Sequence, residues 1–295
     1  MFEKVSPQHP DKMCDRLAGA IVDVAYSRVE NPKIAVEVLA GHQKVYVMIE
    51  TSLTQDQLSG DDIDPLIHRI FGEDVEGEVT IVPQDVHLAD NQQGSVRCGD
   101  NGIFKGCAPT HEQRLLTAIA TSIYDKYPTD GKYVIAEDGM SNSNSRKNPA
   151  PFLTICQSHA KSKELSELMS HLCTEYGIAN TMDSIKINPL GYWTGGINTD
   201  CGATNRKLGS DMGDGVTGGG LHGKDLSKAD VSVNIWCYLE SIRTGHEVTA
   251  CCSIGDETVC GIPYRDIVEQ ARLYIQEIGG FEKFALWGLI RPEGV

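Results

Sequence analysis

Apolar residues recur at the spacing of an α-helix in several separate stretches of the chain. In the first stretch, Met13, Leu17 and Ile21 follow the motif SPQHPDK and predict a helix within residues 5–30. The same spacing predicts helices at residues 56–71, 111–124, 161–176, 230–243 and 264–278. Short apolar runs predict strands at residues 34–39, 45–50, 79–82, 133–136, 152–158, 185–187 and 248–254.

These elements form about three strand–helix groups, with no low-complexity linker between them. The pattern predicts an α+β chain of repeated modules, and we place the domains at residues 1–97, 98–184 and 185–295. In the first domain, a turn at Gly41 joins two strands into a predicted hairpin, and Glu37 and Glu50 interrupt its apolar runs. Such glutamates either face water or point together into one cleft.

The charge balance and the cysteines narrow the class of protein. The 295 residues include 26 basic and 41 acidic ones and give a net charge of -15, which argues against a nucleic-acid partner. No apolar run is long enough to cross a bilayer and no export signal is visible, so we expect a cytoplasmic protein. None of the ten cysteines forms a CxxC pair; we expect reduced, mostly buried thiols, and no spacing supports a zinc site.

The stretch from residue 200 to residue 230 combines fixed charge with glycine. Its basic residues are Arg206, Lys207, Lys224 and Lys228, and seven glycines lie between residues 209 and 223. Glycine lets backbone approach a ligand closely, and lysine and arginine donate charge-assisted hydrogen bonds to phosphate oxygens. The acidic residues of the stretch, which include Asp200, Asp211, Asp225 and Asp230, suit a metal or orient the cations. The alternative is a solvated surface loop.

His9 and Asp11 stand at the predicted start of the first helix, where Pro10 fits the first turn. Functional groups and anions often gather at such a helix start. By itself, however, the pattern favours a loop histidine beside a capping aspartate.

The run from Gly218 to Lys224 nearly matches the P-loop pattern G-x4-G-K-[ST]. The last position is Asp225, which lacks the hydroxyl that binds magnesium, and no apolar strand precedes the run. We therefore discount a P-loop kinase or ATPase.

Several short blocks occur in one order along residues 5–255: HPDK, IETS, GDNG, INPLGYWTGG, NRK and GGGLHGKDLSKAD. Together they resemble the blocks of S-adenosylmethionine synthetases (methionine adenosyltransferases), which read approximately GHPDK, CET, GEITTS, GDQG, DAKS, INPTGRFVIGG, GDAGLTGRK and GGGAFSGKDYTKVD. Each block alone is weak, but the ordered set is specific to that family. The chain is shorter than typical members.

The resemblance implies an enzyme that condenses L-methionine with ATP. Methionine sulfur attacks the ribose 5′ carbon, all three phosphates leave as tripolyphosphate, and the enzyme hydrolyses this product to phosphate and pyrophosphate. The resemblance also implies Mg²⁺ (two ions) and K⁺, three domains in a pseudo-threefold arrangement, and an active site between the subunits of a homodimer or a dimer of dimers.

The resemblance assigns a role to each matching residue. His9 would stabilise the departing 5′ oxygen, Asp11 and Asp230 would hold magnesium, and Glu37 would associate with potassium. The residues that would bind the phosphates are Arg206, Lys207, Lys224 and Lys228. The remaining substrate contacts would be Glu50, Gln93 and Asp100 around methionine, Asp138 in the block matching DAKS, Trp193 on adenine, Asp200 near the ribose and second metal, and Ile254 on the other side of the substrates.

Three departures from the family pattern stand out. The DAKS lysine, a phosphate ligand, is replaced by Met140, although Arg146 or Lys147 could substitute for it. The segment between Gln93 and Gly99, where the family carries a lid, is very short. The glycine of GHPDK is Gln8, and GDQG has become GDNG.

These departures leave two alternatives to an active synthetase. One is a non-catalytic nucleotide-binding homologue that oligomerises, which Met140 and the short lid motivate. The other is a tripolyphosphatase that keeps only the hydrolytic step. Retention of Glu50, Gln93 and Asp100, which match the methionine side, favours the synthetase over the tripolyphosphatase.

Overall fold

Helices and short strands alternate along residues 1–91, 95–136, 152–178 and 185–292, which this computed structural model describes. The helices are α1 (Pro10–Arg28), α2 (Gly60–Phe71), α3 (Val86–Asn91), α4 (His111–Lys126), α5 (Ser162–Glu175), α6 (Leu208–Met212), α7 (Ala229–Thr244), α8 (Tyr264–Ile278) and α9 (Phe281–Trp287). The strands are β1 (Phe2–Val5), β2 (Ile34–Gly41), β3 (Lys44–Thr51), β4 (Glu76–Pro83), β5 (Gly102–Gly106), β6 (Gly131–Ala136), β7 (Phe152–Gln157), β8 (Ile185–Ile187), β9 (Gly202–Ala203), β10 (Val248–Cys252), β11 (Thr258–Val259) and β12 (Ile262–Pro263).

The described strands form two four-stranded sheets and two two-stranded ones. The larger sheets have the orders β4-β3-β2-β9 and β1-β6-β7-β8, and the smaller ones pair β10 with β5 and β11 with β12. In both larger sheets an antiparallel pair, β2–β3 or β6–β7, continues into a parallel neighbour, β4 or β8, after a helical crossover. The mixed α+β class expected from the sequence is confirmed.

The helix α1 lies at the centre of the larger hydrophobic core. Its residues Leu17 and Ile21 have no exposed surface, and they pack in one cluster with β2, β3, α7 and α8. A second cluster forms around α4, α5, β6 and β7. On β3 alternate residues, from Val45 to Thr51, point into the core, so the period-two pattern of the sequence fixes which face of this sheet is buried.

Most element boundaries agree with the sequence patterns, with a few shifts. The helix expected from residue 56 begins at Gly60, and the strand expected to reach residue 254 ends at Cys252. The region interpreted as a polar glycine loop contains α3 and β5. The sequence patterns also did not predict β1, β9, β11, β12, α6 and α9. These elements are short, and periodicity needs longer runs to be visible. The domain boundaries at residues 97 and 184 stay a prediction.

Cys251 and Cys252 lie on β10, as expected for strand residues. All ten cysteines are free; five of them are buried and three, Cys201, Cys251 and Cys260, are exposed. No helix in the described ranges is both long and apolar enough to cross a membrane.

Candidate active site

The start of α1 brings together His9, Asp11, Arg206 and Lys207, which we call the helix-start cluster. Asp11 is buried, and Lys207 Nζ lies 2.7 Å from its Oδ2 while Arg206 Nε lies 3.5 Å from its Oδ1. His9 Nδ1 lies 3.7 Å from Asp11 Oδ2 and accepts a hydrogen bond from the Asp11 backbone N–H at 3.2 Å. Residues almost two hundred positions apart in the sequence therefore meet at one helix end.

Backbone contacts hold this helix start in place. The Ser6 N–H donates to the carbonyl of Gly131 at 2.8 Å, and the Ser6 hydroxyl accepts from the Gly131 N–H at 2.9 Å. On the other side, Ala203 of β9 donates its N–H to Asp11 Oδ1 at 2.8 Å. A Cβ atom at Gly202 would lie only 2.2 Å from the Pro10 carbonyl, so this close approach of β9 to α1 requires glycine.

The helix-start cluster presents cations beside a neutral imidazole. Burial, followed by the charge of Lys207, lowers the pKa of His9 to about 4, so the ring is neutral near neutral pH. Because Nδ1 accepts from the Asp11 N–H, the neutral ring carries its hydrogen on Nε2 and can donate it. Together, the Nε2–H group and the two cations suit anionic oxygen atoms.

Lys224 and Asp230 form a second charged pair at the start of α7. Lys224 Nζ donates a hydrogen bond to Asp230 Oδ2, and the Lys224 backbone forms an isolated β-bridge with Ala35 on β2. Lys228 is the residue immediately before α7 and is 9% exposed. The carboxylate and the ammonium are thus fixed between a helix start and a sheet edge.

The glycine run links this pair to the helix-start cluster. A Cβ at Gly219 would lie 2.1 Å from Asp230 Oδ1, and a Cβ at Gly220 would lie 2.7 Å from the Asn205 amide nitrogen, one residue before Arg206. The glycines therefore allow one loop to lie against both Asp230 and Asn205, the residue next to Arg206. A 3-10 turn at Gly213–Gly215, rather than a strand, precedes the near-match to a P-loop.

A buried ammonium group, which the sequence did not single out, lies beneath the cluster. Lys12 Nζ lies 2.8 Å from both Asp211 carboxylate oxygens, 3.1 Å from Asp15 Oδ2 and 3.4 Å from His222 Nε2. Asp15, Asp211 and His222 have the mutual spacing of metal ligands, but Lys12 already supplies the positive charge between them. The only sequence signal for this buried group was Lys12 of the HPDK motif, which precedes Asp15 by three residues and so shares its helix face.

Asp100, Ile254 and Lys228 are connected through short backbone contacts. The Gly99 N–H donates to the carbonyl of Ser227, next to Lys228, at 3.1 Å. The Asn101 side chain accepts from the Ile254 N–H at 2.9 Å. The loop that carries Asp100 therefore lies between Ile254 and the start of α7, and these expected substrate contacts share one neighbourhood.

Trp193 and Asp200 lie near a buried carboxylate, Asp130, that sequence reasoning missed. Asp130 Oδ2 accepts from the Gly196 N–H at 2.8 Å, and a Cβ on Gly195 would lie 2.8 Å from both this oxygen and Trp193 Cζ3. Burial raises the pKa of Asp130 to about 6. The negative charge of Asp200 favours the protonated forms of both His9 and Asp130, so this region adjoins the helix-start cluster.

Glu37 and Glu50 lie on the outward face of the sheet formed by β4, β3, β2 and β9. Both are exposed, and Glu37 accepts a hydrogen bond from the Thr204 hydroxyl. In the register of the hairpin, Glu37 pairs with Met48 and Glu50 pairs with Ala35. In the single chain these two glutamates therefore face water and do not point together into a cleft. The remaining expected residues, Gln93 and Asp138, and with them Met140, Arg146 and Lys147, lie outside the described residues.

Asp11 and Asp230 have the chemistry of magnesium ligands. Each offers carboxylate oxygens, and Gly219 leaves space beside Asp230 Oδ1 that a side chain would fill. The present partners of these oxygens are ammonium and guanidinium groups, Lys207 and Arg206 on Asp11 and Lys224 on Asp230. These cations can turn to phosphate oxygens and release the carboxylates, so the residues fit a magnesium-bound polyphosphate.

Fold and site together define a mixed α+β protein whose cations and carboxylates converge where helices begin, an arrangement suited to a polyphosphate. The family model for the N-terminal domain of S-adenosylmethionine synthetase matches residues 1–73. Relatives named S-adenosylmethionine synthase extend the match. That of Acholeplasma laidlawii is 26% identical over 94% of this chain and 81% of its own length, and that of Mycoplasma mycoides is 26% identical over 80% and 70%.

A solved structure shows the same fold. An S-adenosylmethionine synthetase from Campylobacter jejuni, described as unusual, superposes with a TM-score of 0.71 at 20% identity and covers 98% of this chain and 93% of its own. These matches and the shared fold support a divergent member of the S-adenosylmethionine synthetase family.

Proposed function

We propose that the protein is a methionine adenosyltransferase, which forms S-adenosyl-L-methionine from ATP and L-methionine and then hydrolyses the tripolyphosphate to phosphate and pyrophosphate. The helix-start cluster carries this proposal, because it joins His9, Asp11, Arg206 and Lys207 across the whole chain at one point. The names of the relatives support the choice of substrates.

The proposed reaction depends on its leaving group. A neutral thioether becomes a sulfonium cation while a highly charged polyphosphate departs, so positioning and neutralising charge dominate catalysis. Arg206 and Lys207 would move from Asp11 to phosphate oxygens, and Lys224 would move likewise from Asp230. Lys228, at the start of α7, would contact the same chain of phosphates.

His9 would act on the oxygen that leaves the 5′ carbon. Its Nδ1 is held by the Asp11 N–H, which leaves Nε2–H as the free donor of a neutral ring. A neutral donor stabilises developing negative charge without transferring a full proton. The backbone hydrogen bond thus fixes both the tautomer and the direction of the donor.

Magnesium would supply charge neutralisation on the polyphosphate when it is bound. Asp11 and Asp230 are the residues we propose to hold it, since hard carboxylate oxygens suit this ion. Glu37, whose carboxylate holds Thr204, is the proposed neighbour of potassium.

The other substrate groups would fall on the neighbouring loops. Asp100 is proposed to contact methionine, with Ile254 on the other side of the substrates, and Trp193 is proposed to stack on adenine with Asp200 near the ribose. The short links from Asp100 to Ile254 and to Ser227 support a common pocket for methionine beside Lys228. Glu50 faces outward in the single chain, which supports a site completed by a second subunit.

We also propose a pseudo-threefold arrangement of three similar modules, and the pairing of strands supports it. Two units have the order strand–helix–strand, β1-α1-β2 and β5-α4-β6. The third, β9-α7-β10, has the same order with α6 and a 3-10 turn inserted after β9. The first strand of each unit pairs antiparallel with the last strand of another: β1 with β6, β5 with β10 and β9 with β2. Such a closed cycle is what a threefold repeat requires. A cytoplasmic location stays a prediction.

A product assay tests the proposed activity. Purified protein is incubated with ATP, L-methionine and magnesium, and S-adenosylmethionine, phosphate and pyrophosphate are quantified by mass spectrometry. The expected result is formation of all three products, with synthesis dependent on methionine. Phosphate release from added tripolyphosphate without formation of S-adenosylmethionine would instead indicate the tripolyphosphatase, and calorimetric binding of ATP without any product would indicate the non-catalytic homologue. Failure to form S-adenosylmethionine above background contradicts the proposal.

A further inference from the structure

Two buried cysteines lie side by side beneath the Asp100 loop. The sulfur atoms of Cys98 and Cys252 are 3.3 Å apart; Cys98 has no exposed surface and Cys252 is 4% exposed. Cys98 lies two residues before Asp100, and Cys252 ends β10 opposite Gly102 on β5. The two thiols are 154 residues apart in sequence, so their contact is made by the fold.

This thiol pair is hydrogen-bonded to the same loop. Cys98 Sγ donates to the backbone carbonyl of Asp100 at 3.1 Å, and Cys252 Sγ lies 3.9 Å from that oxygen. The hydrogen bond between the two sulfur atoms lowers the pKa of Cys98 and raises the pKa of Cys252. Cys98 is therefore the sulfur better suited to act as the nucleophile.

We propose that Cys98 and Cys252 are a redox modification site, which a small peroxide converts into a reversible disulfide that displaces the Asp100 loop. The Cys98 thiolate attacks a peroxide oxygen, the O–O bond breaks, and the hydroxide released becomes water as it takes a proton. The resulting sulfenic acid is attacked by the Cys252 sulfur, and the S–O bond breaks with loss of a second water that carries the Cys252 proton. Two thiols thus lose two electrons and two protons, and hydrogen peroxide becomes two waters.

The geometry makes this pair selective. Sulfur atoms in a disulfide are about 2.05 Å apart, so the observed pair needs only a small closing movement. Burial excludes bulky oxidants and favours a small one. On the same strand, Cys251 is exposed and points away from Cys98, which makes it a matched control with greater access but no partner in the pair.

The effect on the molecule follows from the hydrogen bond that is lost. A disulfide leaves Cys98 without the S–H group that holds the Asp100 carbonyl. Gly99, which follows Cys98, donates its backbone N–H to the carbonyl of Ser227, the residue before Lys228. A movement of the loop therefore changes this hydrogen bond. Given the proposed function, the oxidised protein should bind methionine more weakly, while the disulfide itself does not depend on that function.

Peptide mapping tests the modification. Protein is treated with hydrogen peroxide, remaining thiols are alkylated without reduction, and digests are searched for a linked Cys98–Cys252 peptide. The expected result is this link in the wild type and in Cys251→Ser, and its loss in Cys252→Ser and Cys98→Ser. Cys252→Ala provides a second test if the serine variants fold poorly. Oxidation of the exposed cysteines without the link, or a link that uses Cys251, overturns the proposal.

A kinetic experiment tests separately whether the disulfide weakens the binding of methionine. In the wild type, oxidation should raise the methionine concentration for half-maximal rate by about fivefold, because one neutral hydrogen bond is lost. Reduction with dithiothreitol should restore the original value. Cys252→Ser should keep its own value after peroxide treatment. A linked peptide with unchanged methionine dependence overturns the displacement of the loop, whereas absence of any synthesis before treatment contradicts only the proposed function.

Discussion

At the scale of single residues, the cations proposed to bind phosphate are paired with carboxylates, such as Lys224 with Asp230, and would leave them when the polyphosphate binds. We expect His9→Ala and Lys224→Ala each to reduce turnover by about a hundredfold or more, because each removes a donor to the departing polyphosphate. Steady-state synthesis of S-adenosylmethionine measures the effect. Lys163→Ala, on the exposed side of α5, is the control and should retain turnover. Normal rates in both site variants would remove these residues from the chemistry.

Lys4 is a residue whose effect should appear in stability and not only in activity. Its Nζ donates to the carbonyls of Ser210, Trp287 and Ile290 at 2.7 to 2.8 Å with no exposed surface. Burial lowers its pKa to about 7. Lys4→Met leaves these carbonyls without a donor and should lower the free energy of unfolding by about 2 kcal/mol or more.

The pH dependence of this effect has a definite sign. The folded protein releases the Lys4 proton near pH 7, whereas the unfolded chain holds it to about pH 10.5. Between these values the unfolded state binds more protons, so the wild type gains up to about 1.4 kcal/mol per pH unit relative to Lys4→Met. Urea denaturation of both proteins from about pH 6 to pH 9 measures the difference. A difference that stays constant or narrows with rising pH would contradict the low pKa of Lys4, and Lys163→Met should show no such slope.

At the scale of elements, the periodicity of apolar residues in the sequence predicts which helices and strands form and which of their faces are buried. The repeat of Leu17 and Ile21 and the alternation along β3 follow directly from which faces are buried. Periodicity does not predict which elements pair or pack with one another. Nothing local in residues 202–203 indicates that they form β9 and pair with β2, because two residues carry no period and the pairing depends on contacts across the chain.

β9 illustrates how one small residue positions the site. Gly202→Ala would place a methyl group 2.2 Å from the Pro10 carbonyl and push β9 away from the start of α1. We expect a loss of about 1–3 kcal/mol in stability and at least about a tenfold loss in turnover, since Ala203 no longer holds Asp11. Thermal unfolding and product formation measure the two effects. Gly60→Ala, where nothing lies within 4 Å of the added atom, is the control. A Gly202→Ala protein with wild-type melting temperature and turnover would contradict this packing argument.

At the scale of the whole molecule, the motifs identified some of the residues that meet but not the contacts that hold them in place. The resemblance named Asp11 and Lys207, and the structure brings them to 2.7 Å. It gave no sign of Asp130, and of the Lys12–Asp211 pair it marked only Lys12, in the HPDK motif, because neither a lone aspartate nor a helix lysine has a pattern that reports burial. Charges that are buried must be paired, and that constraint becomes visible only after folding.

The outward face of β2 and β3 raises the question of a second subunit. Leu39, Tyr46 and Met48 are 52%, 46% and 48% exposed on this face, and they surround a groove of about 400 Å³. Glu50, a proposed methionine contact, lies on the same face. Apolar side chains grouped in this way suit contact with another protein surface. A homodimer through this sheet would both bury them and bring a partner to the glutamate.

Met48→Lys tests this arrangement. A lysine in the middle of an apolar interface should weaken self-association by about tenfold or more, and turnover per chain should fall with it at low protein concentration. Sedimentation equilibrium and product formation over a dilution series measure the two quantities. Leu273→Lys, on the exposed side of α8 and 57% exposed in the wild type, makes the same change away from this sheet and should leave both unchanged. A monomeric wild type that still forms S-adenosylmethionine would contradict the shared site, because Glu50 would then have to act from a face that no second subunit covers.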